Sequence, residues 1–146
     1  RLTKLPALSD DTGLEVDALH GAPGVYTARF AGENCTYYDN VKKLLNELEK
    51  VPIPNRTAKF RTVVAYVDKE FEITAEGYCN GIISRSAKGD NGFGYDPIFF
   101  IPNESKTFAQ MTIEQKQNHS HRGKAMRSIV DFLIPHFNSS IKKEIA

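Results

Sequence analysis

Three short segments carry the residues whose types and spacing suit chemistry. The first, Ser9-Asp10-Asp11-Thr12-Gly13, sets two carboxylates side by side after a short apolar entry. Paired carboxylates offer the oxygen ligands that a hard cation such as Mg²⁺ prefers. In an extended chain neighbouring side chains point to opposite faces, so both reach one ion only if the backbone turns there. Gly13 lets it turn at low energy. Taken alone, the pair suits a solvated acidic turn better than a metal site.

The second segment is Gly89-Asp90-Asn91-Gly92-Phe93-Gly94-Tyr95-Asp96-Pro97. Phe93 between two glycines has no bulky neighbours, and a ring presented that way suits stacking on a nucleobase. Spacing alone weighs equally for a turn whose Phe93 and Tyr95 fill the core. Asp96, preceding Pro97, is restricted to extended conformations, which fixes the direction of its carboxylate. The third segment places Lys116 ahead of Ser120-His121-Arg122-Gly123. Its capped helix start favours an anion or an acceptor oxygen. Arg122 has only donors, and His121 donates from either ring nitrogen according to tautomer. An isolated Ser-His-Arg triplet would more often be an ordinary first helical turn.

These segments need elements to hold them. Leu14, Val16 and Ala18 alternate with Glu15 and Asp17, the period of a strand. Thr36 to Val51 is expected to be helical, capped by Thr36 with Asp39 three residues on, and carrying Val41, Leu44, Leu45 and Leu48 as one apolar stripe. Pro52 and Pro54 end it. Residues 60–68 and 70–76 are expected to form a hairpin across Asp68-Lys69, with a separate strand over 77–85. Pro97 to Ile101 is mostly apolar. Residues 112–117 form a short helix candidate, and Ser120 caps a last helix that Pro135 should end or bend. Strands and helices are mixed, so the class is α/β or α+β.

Bulk composition narrows the partners. The 146 residues suit one domain and, at 40% hydrophobic and 25% charged, a globular one. A net charge of +1 argues against stable binding to nucleic acid, including single strands held through Phe93 and Tyr95, and against an anionic membrane. No apolar run approaches the roughly 20 residues of a membrane-spanning helix, and no export signal is seen. Cys35 and Cys79 stand apart, outside any CxxC pattern, and fit reduced thiols in a cytoplasmic protein.

In this order the three segments resemble the inosine triphosphate pyrophosphatase family, the noncanonical purine NTP pyrophosphatases. The matching stretches are SDDTGLEVDALHGAPGVYTARFAGE (9–33), GDNGFGYDPIFFIP (89–102) and KTFAQMTIEQKQNHSHRGKA (106–125), within a resemblance running from Leu5 to Leu133. The resemblance implies an α/β fold with an elongated mixed β-sheet, flanking helices and two lobes around a nucleotide-binding cleft. It implies that Asp11 is the catalytic residue and a ligand of Mg²⁺ (or Mn²⁺), with Asp10 as the neighbouring metal ligand. Thr12 stands where serine is commoner, and the hydroxyl is kept. Phe93, Gly94, Tyr95 and Asp96 match the base-binding segment, and Lys116, His121 and Arg122 the remaining substrate contacts. The family's opening [ST]-G-N-x-x-K loop, whose backbone and lysine hold the triphosphate, is not found in these 146 residues. Residues 1–146 are therefore expected to be a single domain, N-terminally truncated relative to the family.

What the resemblance implies about activity is hydrolysis of ITP, dITP or XTP to the monophosphate and pyrophosphate, by a homodimer. The donors of His121 and Arg122 would reward a 6-oxo purine over adenine, whose 6-amino group would face another donor; guanine shares the 6-oxo group and is not excluded this way. Two rivals differ in class. A catalytically silent fragment or partner-docking module would lack the phosphate loop. A nucleotide-binding regulatory module would keep the aromatic loop but have no need of Asp10-Asp11.

Overall fold

In a computed structural model of the chain, residues 5–145 are described; the outermost ends of the expected domain, 1–4 and 146, lie outside them. Alternation builds the sheet. Strand β1 (Ala7–Val16) pairs antiparallel with β3 (Thr57–Val67) in unbroken register, from Ala7 opposite Val67 to Val16 opposite Ala58. Along β3, Ala58, Phe60, Thr62, Val64 and Tyr66 are buried while the intervening side chains are half-buried, so one face meets the core and the other meets water. A four-residue turn leads into β4 (Glu72–Ile83). There the Asp68 carboxylate accepts the N–H groups of Glu70 and Phe71 at 2.8 and 2.9 Å. The short strands β2 (Pro23–Gly24), β5 (Phe99–Ile101) and β6 (Lys106–Thr107) complete the order β2-β1-β3-β4-β5-β6. The α/β class with flanking helices is as expected. Among the described residues every pairing is antiparallel, where a mixed sheet was expected.

Among the described residues three α-helices flank the sheet: α1 (Tyr37–Glu47), α2 (Ile113–His119) and α3 (His121–Ile145). Thr36 and Asp39 form the expected capping box on α1. The helix closes at Glu47 rather than Val51, because the guanidinium of buried Arg56 takes the carbonyls of Leu48 and Val51. No separate strand runs over 77–85, since β4 continues through Gly77 to Ile83. A Cβ at Gly77 would stand 2.0 Å from the His121 carbonyl oxygen and 2.6 Å from the Ala125 nitrogen. Gly77 is the point where the start of α3 lies directly on β4, which local sequence does not reveal. Pro135 does not end α3, which runs across it; Pro135 simply gives no N–H to the turn before. No helix among the described residues is long and apolar enough to cross a membrane.

Two apolar clusters share the covered face. One gathers Leu14, Val16, Leu44, Leu48, Phe60, Phe99 and Phe108. The other gathers Val64, Tyr66, Ala125 and Ile129. Between them β3 places fully buried Thr62, whose hydroxyl meets that of Thr12 on β1 at 2.7 Å. A polar row therefore crosses the sheet at the seam of two cores, and the cavity opens there.

Candidate functional site

The β1 end of the site is set by strand geometry. Thr12 and Asp10 follow Leu14 and Val16 on the covered side, beside the seam. Arg122, in the first turn of α3, donates from Nε to Asp10 Oδ2 at 2.7 Å, and its Nη2 lies 3.5 Å from Thr12 Oγ1. The turn that would bring both carboxylates onto one ion is not made, because β1 keeps its register through Gly13. Asp11 instead accepts the N–H of Thr12 at 2.9 Å, and it also borders the groove with Glu15, Arg61 and Val63 on the sheet's other side.

The aromatic loop depends on two glycines. Gly92 and Gly94 sit at φ of 82° and 61°, the left-handed region open to glycine. A Cβ at Gly92 would also stand 2.1 Å from Asp96 Oδ2. That buried oxygen accepts the Phe93 N–H at 2.9 Å and the Lys116 ammonium at 2.5 Å, tying the loop to α2. Phe93 and Tyr95, inseparable by spacing, part company here. Phe93 is 59% exposed, whereas Tyr95 is 3% exposed and donates its hydroxyl to the Thr27 carbonyl at 3.0 Å. Burial pushes the Tyr95 phenol well above the ordinary tyrosine range. Its ring is a wall of the site fixed in the core. The Lys116 ammonium lies 5.5 Å from the Phe93 ring centre and 5.1 Å from that of Phe108.

His121 is 8% exposed and stacks on Phe60, with ring centres 4.9 Å apart. Burial, reinforced by the nearby charges of Arg122, Lys116 and Lys124, pulls its imidazole down from 6.5 to about 4. The ring is neutral at physiological pH. Its Nδ1 is buried and has no hydrogen-bond partner among the described residues. An unpaired buried atom of this kind costs about 1–3 kcal/mol.

One cavity of about 280 Å³ is bordered by all ten residues singled out in the sequence: Asp10, Asp11, Thr12, Phe93, Gly94, Tyr95, Asp96, Lys116, His121 and Arg122. Tyr37, Phe60, Thr27, Ala28 and Ser120 border it too. Phe60 gave only a strand signal, and Tyr37 only the signal of a helix start. Of the cavity's carboxylates, Asp11 is the one that no cationic side chain among the described residues engages, since Asp10 is paired with Arg122 and Asp96 with Lys116. Among the described residues no three His, Cys, Asp or Glu side chains converge into an ion cage. An oxygen donor set of one or two carboxylates fits Mg²⁺, which is commonly held that way together with a substrate's phosphates.

The chain is similar to known proteins over most of its length. The model of the Ham1 family matches residues 1–132. The chain is 54% identical over 128 residues to a dITP/XTP pyrophosphatase of Desulforamulus reducens, covering 87% of this chain and 64% of that protein. It is 48% identical over 136 residues to a dITP/XTP pyrophosphatase of Salmonella typhimurium, covering 91% and 69%. Among solved structures, the Staphylococcus aureus Ham1 protein superposes with a TM-score of 0.88 at 40% identity, over 92% of this chain and 70% of that one. A HAM1 protein from Coxiella burnetii gives 0.86 at 38% identity, with the same coverage. The chain thus spans about two-thirds of the length of these relatives.

Proposed function

Because the chain belongs to the Ham1 family, we propose that it serves the hydrolysis of deaminated purine nucleoside triphosphates, ITP, dITP and XTP, to the monophosphate and pyrophosphate. One observation carries this. Segments more than a hundred residues apart meet at a single cavity bordered by an exposed ring, a neutral imidazole, a guanidinium and carboxylates.

Each group has a task in that reaction. Phe93 offers a face to the purine. His121 and Arg122 offer donors to the 6-oxo group of hypoxanthine or xanthine; adenine's 6-amino group would leave them unpaired, the kind of mismatch that gives strong rejection. Lys116 brings positive charge beside the base loop, and Asp96 holds both in place. Asp11 orients the water that attacks the α-phosphorus and takes up its proton, and pyrophosphate departs. Mg²⁺, held by Asp11 with the substrate's phosphates, would neutralise charge on the leaving group. Thr12 keeps a hydroxyl beside Arg122 for a substrate contact. A cytoplasmic homodimer completes the proposal by family likeness.

Product analysis tests it. With ITP and Mg²⁺ the protein should yield IMP and pyrophosphate in equal amounts. IDP and orthophosphate would mean that a different bond is cut, and the proposal would fall.

A further inference from the structure

Two large rings lie exposed together at the mouth of the cavity. Tyr37 is 58% exposed and Phe93 59%, and their ring centres are 6.1 Å apart at 45°. Both border the cavity. They come from unrelated segments: Phe93 from the loop between β4 and β5, Tyr37 from the first residue of α1. From this geometry we propose that Tyr37 is the second aromatic wall of the base site and closes over a purine stacked on Phe93. The proposal rests on the base-site reading above and adds a contact to it.

The position of Tyr37 is built, not incidental. Thr36, immediately before it, forms a reciprocal cap with Asp39 at 2.8 and 3.2 Å. Buried Asn40, one turn on, accepts the Ala31 N–H at 2.7 Å and donates to the Ala28 carbonyl at 3.0 Å. Ala28 is itself cavity wall, and its neighbour Thr27 receives the Tyr95 hydroxyl. The start of α1 is thereby bolted to the wall that carries the base loop, while the Tyr37 side chain, 58% exposed, has solvent around it to turn into. That freedom is needed. A purine between two rings requires about 7–8 Å between them, twice the optimal carbon–carbon separation. A shift of roughly 1–2 Å by side-chain rotation opens the present 6.1 Å to that spacing. Closed on each other, the rings cover apolar surface that a base would otherwise cover.

Stacking responds to a ring's face and is nearly blind to its substituents, so Tyr37 should add affinity without adding preference. The test is calorimetric binding of IMP and of AMP to this chain as wild type, Tyr37→Ala, Tyr37→Phe and Tyr38→Ala. Tyr38 is the 72% exposed neighbour that does not border the cavity. Tyr37→Ala should weaken both nucleotides by the same factor, about tenfold. Tyr37→Phe should restore wild-type binding, and Tyr38→Ala should leave it unchanged. Equal IMP affinity in Tyr37→Ala and wild type overturns the aromatic wall while leaving the base site intact. Wild-type protein that binds neither nucleotide overturns the base site itself, and the wall with it.

Discussion

Arg122 Nε donates to Asp10 Oδ2 across 2.7 Å, joining residues 112 positions apart. The pair locks the start of α3 to β1 and leaves the guanidinium beside the cavity with one edge committed. Arg122→Ala should therefore lose discrimination more than turnover. The ratio of kcat/KM for ITP over ATP is expected to fall at least about tenfold, the loss of one charged donor to the base. Arg122→Lys should not restore it, because an ammonium lacks the planar fork. An unchanged ratio would remove Arg122 from base recognition.

Asp11 is proposed to handle the attacking water. Asp11→Asn keeps the shape and the hydrogen bond to Thr12 but not the basicity. Turnover should fall by roughly 10²–10⁴, the usual range for a general base. The melting temperature should hold, because Asp11 is exposed. Steady-state rates and a thermal melt on the same preparation separate these effects.

His121 gives the fold an acid-sensitive element. Its imidazole sits at about 4 when folded and near 6.5 when unfolded. Between those values the unfolded chain binds a proton that the native chain refuses. Stability contributed by the neutral ring is complete above pH 6.5 and is lost as pH falls toward 4, to a maximum of roughly 3 kcal/mol. Urea midpoints from pH 7 to 4 should show the slope, and His121→Gln, which does not titrate, should flatten it.

Gly77→Ala tests how α3 is seated. The added methyl meets backbone atoms, which cannot rotate away. A loss of about 3 kcal/mol is expected, or roughly 10 °C in melting temperature for a chain of this size. An unchanged melt would show that α3 has room to move off β4.

How much was legible in the sequence depends on how local each cause is. The capping box of Thr36 and Asp39 spans three residues and was evident, as were the alternation of Leu14 and Val16 in β1 and the hairpin that joins β3 to β4. Gly77 looked like punctuation between strands because its reason, the carbonyl of His121, lies 44 positions away. The split between an exposed Phe93 and a buried Tyr95 is set by the Thr27 carbonyl, far from the loop itself. Asp10 and Asp11 looked like partners for one ion. Regular pairing with β3 turns them to different sides, and Arg122 claims the first. Tyr37 gave only the signal of a helix start, because its significance is the ring it meets. The three chemical segments were visible as motifs, and their meeting around one cavity required the folded chain.

The most direct measurement is kcat/KM for pyrophosphate release from ITP, XTP and ATP in the presence of Mg²⁺. If the cavity selects the 6-oxo purine through His121 and Arg122, ITP and XTP should exceed ATP by about 10²-fold or more. Equal use of ATP would contradict the account at its centre.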